Sequence, residues 1–184
     1  MRIIAGEFRG RRLLPPAGDQ TRPVTDRVKQ SIFDILAPRI DGATVYDCFA
    51  GTGSFGLESL SRGARHVTFF ESHRSTIALL RKNLHTLGVE SKATIVTADW
   101  FVHLATAKGE RNVDLAFLDP PYRFLNERAD ALRAAVAKLA ELHLALDGLV
   151  CFRHDAADSL DLPALRVTDT RSYGSMTVKV LALL

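Results

Sequence analysis

Sulfur and indole are scarce in this 184-residue chain, which has two cysteines, two methionines and one tryptophan. Cys48 and Cys151 each sit in an apolar run that reads as a buried strand, so both are expected as reduced core residues of a cytosolic protein, not as a disulfide. No apolar run approaches the ~20 residues of a membrane span. The first residues, Met1 to Glu7, reach an acid before a long apolar run can form, so no signal peptide is expected. The six histidines (His66, His73, His85, His103, His143 and His154) are scattered, and no pair has zinc spacing with cysteine, so no metal is assigned. Repeats and low-complexity segments are also missing. What remains, 47% apolar and 24% charged residues, suits one globular domain with a small extension and a sizeable core.

The net charge of +3 is modest, but its placement is uneven. Residues 1–30 carry seven basic side chains (Arg2, Arg9, Arg11, Arg12, Arg22, Arg27 and Lys29) against Glu7, Asp19 and Asp26. A basic segment on a near-neutral body points to a polyanion partner; the plainer alternative is a solvated arm with no partner. The chain therefore divides into a basic arm or hairpin, residues 1–24, and a domain, residues 25–184.

Within the domain, strands and helices alternate. Thr25 caps a helix to Leu36, and strands are expected at Thr44–Cys48, His66–Glu71, Ala93–Thr97, Val113–Leu118 and Leu149–Arg153. Helices are expected after Gly53, over Arg74–Leu87 and Trp100–Ala107, and over Asn126–Leu144 with Asp147-Gly148 closing the last. Leu165–Arg171 and Met176–Leu181 have no helix between them and read as an antiparallel hairpin. The pattern predicts a Rossmann-like α/β fold with a mostly parallel seven-stranded sheet, the class I methyltransferase architecture. Phe33, Phe55, Phe69, Phe70 and Phe117 are assigned to its core, and the charges from Glu127 to Glu141 to a solvent-facing helix side.

Gly51-Thr-Gly53-Ser-Phe-Gly56 follows the first strand and matches G-x-G-x-x-G. Its glycines let a ligand approach the backbone, although a dinucleotide, S-adenosylmethionine or a plain strand-to-helix turn would each fit. Glu71 ends the second strand, where a carboxylate can accept both hydroxyls of a ribose. Asp99 follows the third strand and can accept from an adenine amine, cap the next helix, or both, with Trp100 or Phe101 against the ring. Asp47 meets a methionyl ammonium or orders the loop. Phe49 and Ala50 complete the candidate cofactor set.

Asp119-Pro120-Pro121-Tyr122 follows Val113–Leu118 directly. The prolines stop the strand at its carboxyl end, where ligands bind in open α/β sheets. A carboxylate, the Pro120 carbonyl and an aromatic face suit a flat ring bearing an exocyclic amine. An aromatic amine is a poor nucleophile because its lone pair is delocalised. Two acceptors on its hydrogens favour tetrahedral nitrogen and stabilise the charge that develops there. Tyr122 can stack on the base, worth about 1–3 kcal/mol, and the proton can leave to Asp119 or water. A base inside a helix would first have to be flipped out.

Taken with these motifs, Met1-Arg-Ile-Ile-Ala-Gly6, Arg9-Gly-Arg11, Thr21-Arg-Pro23, Thr25-Asp-Arg27-Val28, Asp47 to Gly53, Gly56 to Gly63, Glu71, Asp119 to Tyr122 and Tyr173-Gly174 give a chain that resembles bacterial 16S rRNA guanine-N2 methyltransferases of the RsmD family, nearly end to end. Val24 and Gln30 stand where the family pattern has Thr and Glu. The resemblance implies S-adenosylmethionine as donor, a guanine amine as acceptor, and 16S rRNA in an assembled or partly assembled small subunit as partner. It also implies RNA contacts at Arg9, Arg11, Arg22, Arg27 and Pro121, and a cytoplasmic monomer. The alternatives are an adenine-N6 DNA methyltransferase, a nicotinamide-dependent oxidoreductase and a non-catalytic RNA-binding module.

Overall fold

The computed structural model describes residues 1–15, 24–106 and 108–184. Helix α1 (Asp26–Leu36) begins where Val28 N–H donates to Thr25 Oγ1, with Asp26 placed favourably in the first turn. It buries Ile32, Phe33 and Leu36 on one face. The alternation then runs β1 (Thr44–Asp47), α2 (Ser54–Ser61), β2 (His66–Phe70), α3 (Arg74–Leu87), β3 (Ala93–Val96), α4 (Trp100–Thr106), β4 (Val113–Leu118), α5 (Phe124–Glu127), α6 (Ala129–Lys138), β5 (Leu144–Asp155), β6 (Leu165–Tyr173) and β7 (Met176–Leu183). The strands form one seven-stranded sheet in the order β3-β2-β1-β4-β5-β7-β6. β7 runs antiparallel to both its neighbours, β5 and β6, as the C-terminal hairpin predicts, and the pairs from β3 to β5 are parallel.

Strand alternation sends adjacent residues to opposite faces. Phe69 and Phe117 enter one core with Phe33, Phe55 and Leu80, whereas Phe70 and Leu118 enter the other with Trp100, Leu132 and Phe152. Both faces of the sheet are therefore covered, as its continuous apolar strands require. Among the described residues no helix is long and apolar enough to cross a membrane.

The expected helix Asn126–Leu144 is instead three pieces. Arg128, with φ −134°, separates α5 from α6, and Leu139–His143 widens into a π turn. The fifth strand begins at Leu144, not Leu149, and Asp147-Gly148 lies inside it. Its pairing with β4 jumps from Val113↔Leu144 to Leu115↔Leu149, a bulge that takes up the extra residues. An apolar run such as Leu142 to Leu149 does not distinguish helix end from buried strand by periodicity. At Gly148 a side chain would stand 2.8 Å from Val113 O, so glycine is what lets the bulge close.

Residues 1–15 fold back as a hairpin on the sheet and its helices. An antiparallel bridge joins Arg2 to Arg12, and Ile3 and Leu13 are buried in the same core as Phe33. A charged group beneath the arm holds it down. Glu58, on α2 and fully buried, accepts from Ile4 N–H (2.8 Å), Ala5 N–H (3.0 Å), Lys29 Nζ (3.1 Å) and Arg62 Nε (2.9 Å). Lys29 is itself buried and also donates to Arg2 O at 2.6 Å. Burial pulls its ammonium pKa down, against the pull of Glu58.

Candidate active site

The sheet order reverses between β1 and β4, which makes the crevice at their carboxyl ends the place where ligands of open α/β sheets bind. Asp47 pairs in register with Phe117, so the turn after β1 and the turn after β4 leave the sheet side by side. Cys48 N–H donates to Phe117 O at 3.0 Å and extends that contact by one residue.

The Gly-rich turn is held from three sides. Asp47 is buried at the end of β1, and its Oδ2 accepts from Gly56 N–H at 2.9 Å, tying the strand to the start of α2. That hydrogen bond orders the loop. Burial pushes its carboxyl up to about 7; the Gly56 hydrogen bond opposes this, and the charges of Asp119 and Glu71 add to it. Glu71 Oε2 accepts from Gly51 N–H at 3.0 Å, while Oε1 accepts from the N–H groups of Ser72 and His73 at 2.8 Å. Ala50 N–H donates to Phe70 O at 3.0 Å, which fixes the turn to β2.

The glycines of this turn differ in purpose. Gly51 has φ +56°, and a Cβ there would project into open space, so the cradle above it is free for a ligand. At Gly56 a Cβ would lie 2.2 Å from the Phe69 ring, so that glycine lets α2 pack on the sheet. The open space at Gly51, the carboxylates of Glu71 and Asp99 and the aromatic cluster around Phe49 have the chemistry to suit a cofactor that has a ribose, an amine-bearing ring and a cationic centre.

Asp99 Oδ1 accepts from Phe101 N–H at 2.9 Å and so caps α4, while Oδ2 faces Arg128 Nη1 at 3.3 Å. Phe49 contacts Trp100, Phe101 and Phe124 with ring centroids 5.3, 6.0 and 6.1 Å apart. The Arg128 guanidinium lies 4.0 Å above Phe101. Trp100 is buried and Phe49 half-buried, so the aromatic cluster joins the turn after β1 to the start of α4.

Asp119 sits just past β4, largely buried, with both oxygens engaged. Arg153 Nε donates to Oδ1 at 2.6 Å and Arg153 Nη2 to Oδ2 at 2.7 Å. Burial raises the Asp119 pKa and the Arg153 guanidinium draws it back. The same guanidinium lies 5.9 Å from the centre of the Tyr122 ring. Pro120 is buried, while Pro121 is exposed and Tyr122 half-exposed at the mouth of the turn.

Arg9, Arg11 and Arg27 are exposed on the arm and the first turn of α1; Arg22 lies outside the described residues, with the Thr21-Arg22-Pro23 block. Two residues with clear structural roles carried no assignment from sequence: Glu58 showed itself only as an acid inside the apolar Phe55-Gly-Leu-Glu-Ser-Leu helix, and Arg153 as a base ending an apolar strand. Arg128, one of the charges from Glu127 to Glu141 expected on a solvent-facing helix side, instead lies between α5 and α6 against Phe101 and Asp99. Among the described residues no cluster of metal-ligating side chains exists.

A family model described as "Conserved hypothetical protein 95" matches residues 1–182. YlbH of Bacillus subtilis is 36% identical over 187 residues, covering 98% of this chain and 97% of that protein. The ribosomal RNA small subunit methyltransferase D of Haemophilus influenzae is 41% identical over 134 residues, covering 72% of this chain and 69% of that one. The solved structure of yhhF from Escherichia coli superposes with a TM-score of 0.83 at 30% identity, covering 100% of this chain and 97% of that one. The seven-stranded order and this end-to-end similarity agree, and the chain belongs to the RsmD-like methyltransferase family.

Proposed function

We propose that this protein transfers a methyl group from S-adenosylmethionine to the exocyclic N2 amine of a guanine in small-subunit (16S) rRNA. The observation that carries the reading is the placement of Asp119-Pro120-Pro121-Tyr122 beside the Gly51 cradle, on adjacent strands at the switch point of the sheet. The named relative from Haemophilus influenzae supports the rRNA substrate.

Gly51 and Phe49 would hold the methionyl end of the donor, Glu71 its ribose, and Asp99 with Trp100 its adenine. When bound, the donor supplies an electrophilic methyl on a sulfonium. The protein's own part is positional. Asp119 and the Pro120 carbonyl accept the two amine hydrogens, which aims the nitrogen lone pair across the crevice toward the cradle. Tyr122 stacks on the base. With Arg153 on both oxygens Asp119 is an acceptor more than a base, so water is a sufficient destination for the amine proton.

Residues 1–24 would serve as the RNA platform of the methyltransferase domain that follows. Arg9 and Arg11 face outward on a hairpin that Glu58 fastens to α2, and Arg27 faces outward from the first turn of α1, so their charges are presented on a fixed surface. A polyphosphate backbone is the partner such a surface suits.

Labelled-methyl transfer to rRNA, small-subunit particles and DNA tests the proposal. N2-methylguanosine should form on rRNA or the particle, and Asp119→Ala should abolish turnover while RNA affinity stays within about twofold. Methylation of DNA alone, or unchanged turnover in Asp119→Ala, overturns it.

A further inference from the structure

We propose that Arg153 is a positioning residue for methyl transfer: its bidentate clasp fixes the plane of the Asp119 carboxylate and keeps it an acceptor, so that the oxygen lone pairs Arg153 leaves free face the amine. The inference rests on the reading of Asp119 as the amine-orienting group.

A carboxylate has about four lone-pair sites, and a bidentate arginine takes one on each oxygen. One site per oxygen is left, in a plane set by the guanidinium. A lone carboxylate at this depth could rotate about its Cβ–Cγ bond; a forked one cannot without breaking two short hydrogen bonds. Arg153 has its own supports, since Nη1 lies 3.8 Å from Met176 Sδ on β7, and the Tyr122 ring stands 5.9 Å from its guanidinium carbon. The guanidinium therefore sits between the hairpin, the acceptor carboxylate and the proposed stacking ring, and ties β5 and β7 to the turn after β4. This contact lies outside the G-x-G-x-x-G and Asp-Pro-Pro-Tyr motifs.

The groups facing Asp119 give the clasp a second effect. From β1 faces the Asp47 carboxyl, whose pKa burial raises first and the Asp119 charge raises further. From β5, the buried Cys151 thiol, pushed up to about 12 by burial first and then by Asp119, stays neutral. Tyr122 lies in the same turn. Arg153 is the cation that opposes burial at Asp119. Without it the carboxyl takes up a proton more readily and presents an O–H where the amine needs an acceptor.

Two variants and two readouts test this in the full-length protein. The Asp119 carboxyl is followed by 13C NMR titration, its signal assigned with Asp119→Asn, and kcat and KM are measured against pH with small-subunit rRNA. In Arg153→Gln the titration midpoint should rise by about 1–3 units. The acid limb of kcat should move by the same interval, so that kcat falls at least about tenfold on the acid side of the shifted midpoint and recovers as pH rises, with KM for S-adenosylmethionine unchanged. Arg153→Lys, which keeps the charge but loses the fork, should hold the midpoint and still lower kcat at every pH. In an Asp119→Asn background Arg153→Gln should leave the pH profile unmoved.

An unmoved Asp119 midpoint in Arg153→Gln overturns the inference. So does a rise in kcat/KM, which would make the pair a latch that substrate must open. Wild-type kcat in Arg153→Lys also refutes the positioning role, and this variant decides the matter if Arg153→Gln does not fold. Failure of the underlying reading looks different, because Asp119→Ala would then retain turnover before Arg153 is altered.

Discussion

Replacing Glu58 with Gln should loosen the N-terminal arm and destabilise the whole protein. The isosteric amide keeps one acceptor oxygen and turns the other into an NH2 that faces donors. Four groups converge on the two oxygens: Ile4 N–H and Lys29 Nζ on Oε2, Ala5 N–H and Arg62 Nε on Oε1. Whichever way the amide turns, one backbone N–H and one cation lose their acceptor. Lys29 is then a buried ammonium without its counter-charge. Breaking a buried pair from one side costs about 3–5 kcal/mol, a large share of the roughly 5–15 kcal/mol that holds a domain folded.

For a chain of this length that corresponds to a fall in Tm of roughly 10 °C or more. The exposed pair Arg2–Asp26, at 2.6 Å but with side chains 59% and 46% exposed, is the control; Asp26→Asn should cost less than about 1 kcal/mol. Urea unfolding gives the free energies, and amide hydrogen exchange at Ile4 and Ala5 reports the local effect. The pair Glu58→Gln with Lys29→Met should cost less than the sum of the two single changes, because the second removes the charge the first strands. A Glu58→Gln protein within about 1 kcal/mol of wild type, with Ile4 and Ala5 as protected as before, would refute the reasoning.

Asp47, with its carboxyl pushed up to about 7 against an ordinary 3.8, binds its proton more tightly folded than unfolded. It therefore contributes a loss of stability as pH rises from about 4 to about 7, on the order of 4 kcal/mol. Asp47→Asn keeps an acceptor for Gly56 N–H and should flatten that fall, so its Tm should gain on wild type as pH rises; parallel Tm curves would contradict this. Gly51→Val should fold, at about 1–2 kcal/mol for its positive φ, yet weaken S-adenosylmethionine binding more than about tenfold by calorimetry. Gly56→Ala should cost about 1–3 kcal/mol through the Phe69 clash; equal cofactor affinity in Gly51→Val and wild type would move the cradle elsewhere. Arg9→Gln and Arg11→Gln should each weaken RNA binding and lower the salt slope by about one, and an unchanged slope would remove that side chain from the interface.

The sequence made the alternation legible because β4 is nearly continuous in buried apolar residues, while β1 and β2 carry apolar residues between clear turn signals. Gly88, Thr25 and the Gly51 turn punctuate it in the ordinary way. Legibility ended where local pattern stops deciding. The run through Leu139 to Leu149 satisfies both a helix and a buried strand, and only pairing with β4 selects the strand from Leu144 onward. The arm is a second case. Ile3 and Leu13 are too few to predict docking, and the docking is fixed by Glu58, fifty-odd residues away in sequence. The candidate site divides the same way. Asp119, Glu71 and Gly51 stand at strand ends, where sequence spacing locates them. Arg153 reaches Asp119 across neighbouring strands, and that contact follows from register, which periodicity does not supply.

Mass spectrometry of 16S rRNA from cells lacking this protein, complemented with wild type or with Asp119→Ala, tests the central claim most directly. One N2-methylguanosine should vanish with the protein, return with wild type and stay absent with Asp119→Ala. Return of that methyl group with Asp119→Ala, or loss of a methyl from any other position on any base, would contradict the account.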